Sequence, residues 1–199
     1  ARGFLEWLGQ WVPGADKGAL EYEVNGFAYR VSHGAFFQVN RHLTGGLVDV
    51  ALGDAVGATA LDLYAGVGLF TIPLARRFKR VASVESHGAA VRDMEHNAGQ
   101  AGLSIGVHRA QAEQYLERLK ATPDFVLADP PRSGLGKLVT GHLLRLSPPR
   151  IHIVSCDPST RARDIAALIQ GGYKLGKATM VDLFPQTFHI ETVVELTRD

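Results

Sequence analysis

Short apolar runs recur along the chain, separated by stretches with helical spacing. Val81-Ala82-Ser83-Val84, Phe125-Val126-Leu127-Ala128 and Ile151-His152-Ile153-Val154 have strand length. The run ending Leu61-Asp62-Leu63 precedes them, and Ile105–Arg109 is a weaker member of the series. Between them, apolar residues three and four apart predict helices on Leu43, Leu47, Val50 and Ala51, then from the Gly66–Gly68 turn to about Arg77. Further helices are predicted on Val91, Met94, Ala98 and Ala101, on Ala112, Tyr115, Leu116 and Leu119, and on Ile165, Leu168 and Ile169. Asn40 and Ser86 stand where N-caps are expected, Gly102 where a helix should stop, and Asp157-Pro158 where one should start. The last two strands, around Tyr173–Leu183 and Phe188–Leu196, leave no room for a helix between them, so they are expected to pair antiparallel at the sheet's end. The alternation predicts an α/β fold with a doubly wound, mostly parallel sheet.

Residues 1–35 follow a different rhythm. Glu21-Tyr22-Glu23-Val24 and Phe27-Ala28-Tyr29-Arg30-Val31 alternate in character around Asn25-Gly26, a strong hairpin signal. This stretch reads as the end of a preceding segment, with the main domain over 36–199.

Composition narrows the function classes. The chain has 199 residues, 46% of them hydrophobic, enough for one domain with a substantial core. A net charge of +1 gives no global nucleic-acid footprint, so RNA binding would rest on local patches. One cysteine excludes an internal disulfide and any cysteine-built zinc or iron–sulfur site, and no metal site is expected. There is no apolar run of membrane-spanning length and no signal-peptide pattern, so the reading expects a cytoplasmic protein with no membrane partner.

Candidate chemistry gathers at strand ends, where open α/β sheets bind ligands. Asp62 closes the opening strand before Tyr64-Ala65-Gly66-Val67-Gly68, whose glycines permit a tight turn and close approach to a ligand. Glu85 lies nineteen residues beyond Gly66 at the end of the next strand, suited to accept from ribose hydroxyls. Gln111, Asp129 with Arg132, and Cys156 complete the rim. Two prolines stiffen Asp129-Pro130-Pro131-Arg132 into a wall for a planar group. Position alone leaves Cys156 open between buried hydrophobe and nucleophile: a helix start favours its thiolate, while the neighbouring Asp157 opposes it. His189 and Glu191 share one face of the last strand, either solvated or, for Glu191, placed for proton abstraction. Gln38 sits just before a helix start, and Arg161 and Arg163 are candidates for phosphate contact.

From Phe36 to Leu196 these motifs resemble the catalytic domain of the S-adenosylmethionine-dependent RNA uracil-5 methyltransferases, which make 5-methyluridine in tRNA or ribosomal RNA. The resemblance runs through Phe36-Phe37-Gln38-Val39-Asn40, Leu61-Asp62-Leu63-Tyr64-x-Gly66-x-Gly68-x-Phe70 and Asp129-Pro130-Pro131-Arg132-x-Gly134. It continues through Val154-Ser155-Cys156-x-Pro158 and Asp182-x-Phe184-Pro185-Gln186-Thr187-x-His189-x-Glu191-Thr192. It implies a Rossmann-like class I methyltransferase fold, with a seven-stranded sheet and an antiparallel last strand. It implies S-adenosyl-L-methionine held by Gln38, Tyr64, Glu85, Asp129 and Gln111 alongside Asp62, Gly66 and Gly68. Cys156 is then the nucleophile, Glu191 the base, and Arg132 and His189 contacts to a flipped uridine of an RNA partner. Asp157 stands where the family usually has Asn, and Gln111 where a shorter Asn is common. The family's N-terminal RNA-binding segments have no counterpart, so the expectation is a truncated, monomeric catalytic domain. The competing expectations are an amino-group methyltransferase with a structural Cys156, or a cofactor-binding module without turnover. An NAD enzyme is disfavoured because Gly66-x-Gly68-x-x-Thr71 lacks the third fingerprint glycine.

Overall fold

The computed structural model describes residues 18–38, 40–187 and 189–198; residues 1–17 of the expected N-terminal segment, Val39 and Phe188 lie outside them. A seven-stranded sheet has the order β5-β4-β3-β6-β7-β9-β8, from β3 (Gly57–Leu63), β4 (Phe78–Glu85), β5 (Gly106–Arg109), β6 (Phe125–Ala128), β7 (Arg150–Ser155), β8 (Lys174–Val181) and β9 (Glu191–Thr197). The first five run parallel, and β9 is antiparallel to both of its neighbours. The expected antiparallel pair exists, but β9 inserts between β7 and β8 rather than extending the edge. That insertion brings the first residue of β9 to the rim where β7 ends, with Ser155 opposite Thr192.

The helices are α1 (Thr44–Leu52), α2 (Thr71–Arg77), α3 (Gly88–Gln100), α4 (Ala112–Arg118), α5 (Gly136–Leu146) and α6 (Pro158–Gln170). Helix α5 has no counterpart among the helices predicted from periodicity; its buried face is Val139, Thr140, Leu143 and Leu146. Three local expectations shift. Asn40 Oδ1 accepts from the backbone N–H groups of His42 and Leu43, capping a turn ahead of α1 rather than α1 itself. Ser86 does not cap α3; its hydroxyl donates to Glu85 Oε1 at 3.5 Å, and His87 takes the cap position. Ile169 is exposed, while Asp164 and Leu168 are buried on α6.

Two apolar layers sandwich the sheet. One joins α1, α2 and the face of Ala60, Phe125, Leu127, Val154 and Val193; the other joins α4, α5, α6 and the face of Leu61, Leu63, Val126, Ile151 and Ile153. The parallel strands are buried on both faces, which is why they read as continuous apolar runs. Among the described residues no helix is long and apolar enough to cross a membrane.

The hairpin of β1 (Ala19–Val24) and β2 (Phe27–Ser32) forms as its Asn25-Gly26 turn demands, both residues with positive φ. It docks on the main unit. Asn97 of α3 accepts from the Arg30 N–H at 2.8 Å and donates to Arg30 O and to Val67 O in the glycine loop, while Asp93 accepts from Ser32 N and Oγ. Tyr29 reaches the same loop, its hydroxyl donating to Leu69 O at 3.1 Å.

Candidate active site

The parallel strands end on one rim, and the loops leaving β3, β4, β6 and β7 face each other across the point where chain order reverses between β3 and β6. The loop after β3 carries left-handed residues: Tyr64, Gly66 and Gly68 have φ of 61°, 55° and 92°. At Gly66 an added Cβ would meet nothing within 4 Å, so its backbone faces open space that a ligand can enter. Its N–H donates to Glu85 Oε2 at 3.0 Å, and Glu85 Oε1 accepts from His87 N at 2.6 Å. The strand-end acid is therefore tied to the loop it was expected to accompany. Phe36, Phe37, Gln38, Tyr64, Gly66 and Asp129 line one hollow, with Gln38 only 4% exposed and Phe37 braced by stacking on Tyr22 at 4.7 Å.

Gln111 is exposed and lines a separate groove with Tyr64, Pro131, Ser133 and Leu135, so Tyr64 forms the wall shared by hollow and groove. Burial, helped by the charges of Glu113 and Asp164, pushes the Tyr64 phenol up to about 12. It stays neutral at physiological pH.

The carboxylates under the loop are strained electrostatically. Asp62 is fully buried and accepts from Thr71 Oγ1 at 2.5 Å, while its Oδ1 has no hydrogen-bond partner. Burial pushes it up to about 7, the Thr71 hydrogen bond holding it back and the Glu85 charge adding. Burial, then the charges of Glu191 and Asp62, pushes Asp129 well above the usual carboxylate range. Such an acidic well favours a cationic ligand, because a positive charge there would relieve several groups at once.

The thiol side lies across Asp129. Cys156 is half-buried between β7 and α6. Glu191, at the start of β9, is 6% exposed, and its Oε2 is buried without a partner. Burial pushes the Cys156 thiol up, the Glu191 charge adds to this, and Arg132 opposes it through its charge and a hydrogen bond. Burial also raises Glu191, against the pull of Arg161. Arg132 Nη2 lies 3.4 Å from both ring nitrogens of His189, which packs edge-on to Phe184.

Two expectations about charges near the thiol change. Asp157 does not act as the thiol's opposing charge; its Oδ1 caps α6, accepting from the N–H groups of Ser159 and Thr160, and these bonds hold it down at about 2. The opposing carboxylate is Glu191. Arg163 is no free cation, since it donates to Ser133 O and Asp164 while its side chain stays half exposed, and Arg161 faces Glu191 and the backbone at Ser155. Asn97 and Asp93, which brace the loop from behind, carry no sequence signal beyond being polar residues of an amphipathic helix.

Comparison with known proteins places the chain in a family. A sequence model of the tRNA (Uracil-5-)-methyltransferase family matches residues 17–199. An uncharacterised RNA methyltransferase of Thermotoga maritima is 36% identical over 186 residues, 92% of this chain and 42% of that protein. The 23S rRNA (uracil(1939)-C(5))-methyltransferase RlmD of Aeromonas salmonicida is 37% identical over 179 residues, 86% of this chain and 40% of that protein. The chain thus spans about two fifths of the length of these curated relatives. Among solved structures, the tRNA (uracil-54, C5)-methyltransferase of Pyrococcus abyssi, in complex with S-adenosyl-L-homocysteine, superposes with a TM-score of 0.82 at 31% identity, covering 91% of this chain and 45% of that one. With its family model matched over nearly the whole chain and its fold superposing on that of a solved relative, this chain belongs to the tRNA (uracil-5-)-methyltransferase family.

Proposed function

We propose that this chain is the catalytic unit of a cytoplasmic, monomeric RNA methyltransferase that moves a methyl group from S-adenosyl-L-methionine to C5 of a uridine in tRNA or ribosomal RNA. The observation that supports this most is the meeting on one rim of a half-buried thiol, an arginine that acts on it, and a buried carboxylate with an unpartnered oxygen.

The chemistry of the hollow supports its assignment to the methyl donor. Gly66 offers backbone with open space before it, Glu85 lies beside it to receive ribose hydroxyls, Gln38, Tyr64 and Asp129 line the hollow, and Asp62 and Gly68 support the loop from the interior. The donor's ammonium and sulfonium charges are complementary to the acidic well. Gln111 extends the contact into the neighbouring groove. When bound, S-adenosyl-L-methionine supplies an electrophilic methyl group.

Uracil C5 is a poor nucleophile until C6 is attacked. Cys156, as thiolate, adds Sγ to C6, and the C5=C6 electron pair moves to C5, which then takes the methyl group. Glu191 removes the C5 proton, the electrons re-form C5=C6, and the C6–Sγ bond breaks to return the thiolate. Arg132 steadies the thiolate and, with His189, holds the flipped base beside the Asp129–Arg132 wall. Since burial and Glu191 raise the thiol, adduct formation increases as pH rises toward the thiol's pKa, while protonation of Glu191 at acid pH removes the base that resolves the adduct and so slows turnover.

RNA containing 5-fluorouridine tests this, because fluorine at C5 cannot leave as a proton does and the adduct persists. Incubated with cofactor, the wild-type protein is expected to form a denaturation-resistant RNA complex and Cys156→Ala none. An undiminished complex in Cys156→Ala, or methyl recovered on nitrogen, overturns the reading.

A further inference from the structure

The loop between β6 and α5 is fastened to α6 by bonds that no reaction step uses. Thr160 Oγ1 donates to Arg132 O at 2.9 Å, and Arg163 Nη2 donates to Ser133 O at 2.8 Å. The Leu135 N–H donates to Asp164 Oδ2 at 2.6 Å, while Arg163 Nε and Nη2 donate to Asp164 Oδ1 at 3.0 and 2.9 Å. Asp164 is 4% exposed, and a carboxyl group that far inside needs these hydrogen-bond partners. Gly134 has φ of 77°, and a Cβ there would run into Asp164 Oδ2; the carboxylate presses against the one loop residue without a side chain.

Residues 160, 163 and 164 share one face of α6 by their spacing. The same helix starts directly after Cys156 and is capped by Asp157. One rigid element thus carries the thiol at its head and, a turn further on, grips the backbone from which Arg132 departs. The other charged groups around the thiol sit elsewhere: Glu191 on β9, Arg161 and Asp157 on α6 itself, and His189 against Arg132. The grip reaches Arg132 through the backbone of the loop, and Thr160 Oγ1 also lies 3.1 Å from the capping Asp157 Oδ1.

We propose that Thr160, Arg163 and Asp164 are positioning residues, a latch that fixes the 132–135 backbone to the thiol-bearing helix and so holds the Arg132 guanidinium beside Cys156 Sγ. This rests on the reading of Cys156 as the nucleophile. Without the latch, Arg132 keeps its charge but loses its seat, and thiolate formation and addition to C6 both suffer.

The single cysteine makes the test direct, since alkylation by iodoacetamide, in which the thiolate displaces iodide, reports Cys156 without RNA. Its pH midpoint is to be compared for wild type, Arg132→Met, Thr160→Val and Asp164→Asn. The midpoint is expected to rise in all three variants, by about half a pH unit or more. Trapping of 5-fluorouridine RNA is expected to slow about tenfold in Thr160→Val and Asp164→Asn, because small displacements of a positioned group are costly. In Thr160→Val, calorimetric affinity for S-adenosylhomocysteine should stay within about twofold, since Thr160 lines neither the hollow nor the groove of Gln111. Thr160→Val removes only a hydroxyl and keeps the Thr160 N–H on the Asp157 cap, so, read against Arg132→Met, it decides the case if Asp164→Asn does not fold. Wild-type midpoints in Thr160→Val overturn the latch, as does an unmoved midpoint in Arg132→Met. Failure of the wild type to trap RNA would instead overturn the proposed reaction, leaving alkylation to judge the latch.

Discussion

Around the glycine loop, the bracing groups are paired. Asn97 satisfies its side-chain amide on Arg30 and Val67, Asp93 closes on Ser32 and Arg30, and Glu85 accepts from Gly66 and His87. Around the thiol, Glu191 Oε2 has no partner in the interior, and Cys156 and Glu191 both lie above their ordinary pKa ranges. On the proposed reaction the glycine loop is the donor side, preorganised by a hairpin and a helix that contribute nothing to the chemistry, and the thiol region is the acceptor side. The acceptor side holds groups whose needs are unmet until a substrate arrives. A site that must place one reactant and react with the other separates these duties, because a satisfied hydrogen-bond network resists the proton movements that catalysis requires. Asp62 crosses this division: it lies under the loop yet keeps an orphaned oxygen.

The largest expected effect tests the acceptor side. Cys156→Ala should lower methyl transfer by at least about four orders of magnitude, measured by tritium release from C5-labelled uridine RNA, while S-adenosylhomocysteine still binds. Loss of cofactor affinity in that variant would break the separation. Glu191→Gln should slow turnover by roughly 10²–10⁴-fold and leave the methylated adduct attached to Cys156, seen as an RNA–protein complex by mass spectrometry. A variant that turns over slowly without accumulating adduct would assign the base elsewhere.

The donor side should answer in stability instead. Asn97→Ala strands the Arg30 N–H and two carbonyls, and is expected to cost about 3 kcal/mol in urea unfolding, with weakened S-adenosylhomocysteine binding. If stability falls and affinity does not, the hairpin is merely attached.

The smallest effect concerns Asp62. Its folded pKa, about 7, exceeds the unfolded carboxylate value, so between pH 4 and 7 the folded protein keeps a proton that the unfolded chain has lost. Stability therefore falls as pH rises through that window. Asp62→Asn should remove on the order of 2 kcal/mol of that fall between pH 5 and 8, provided Thr71 keeps an acceptor. An unchanged slope would mean that Asp129 and Glu191, shifted in the same direction, carry the dependence.

Features written in local chemistry were legible before any coordinates. Asn25-Gly26 specifies its hairpin turn, Asp157-Pro158 caps and starts α6, and the apolar runs become strands because parallel strands are covered on both faces. The acid-tipped strand and the glycine turn were legible together, though their hydrogen bond was not. What escaped was relational. Ser86 looks like a cap because serine often is one, yet the chain presents His87 at the boundary. Asp157 looks like a charge beside a thiol because it is adjacent in sequence, yet capping turns its carboxylate toward Ser159 and Thr160. Arg163 looks like a free cation until Ser133 and Asp164 are seen to hold it. Helix α5 carries its signal at Val139, Leu143 and Leu146, diluted by two glycines within eleven residues.

By itself, then, the sequence determined the elements, the α/β class and the residue types that gather at strand ends, because turns, caps and periodicity depend on neighbours a few positions apart. Only the tertiary structure decided that β9 inserts antiparallel beside β7, carrying Glu191 to Cys156, and that the hairpin grips the loop through Asn97. Those choices are made by contacts between segments tens of residues apart. Their energy comes from burying sheet faces and satisfying interior polar groups, and no short window of sequence records which partner will be there.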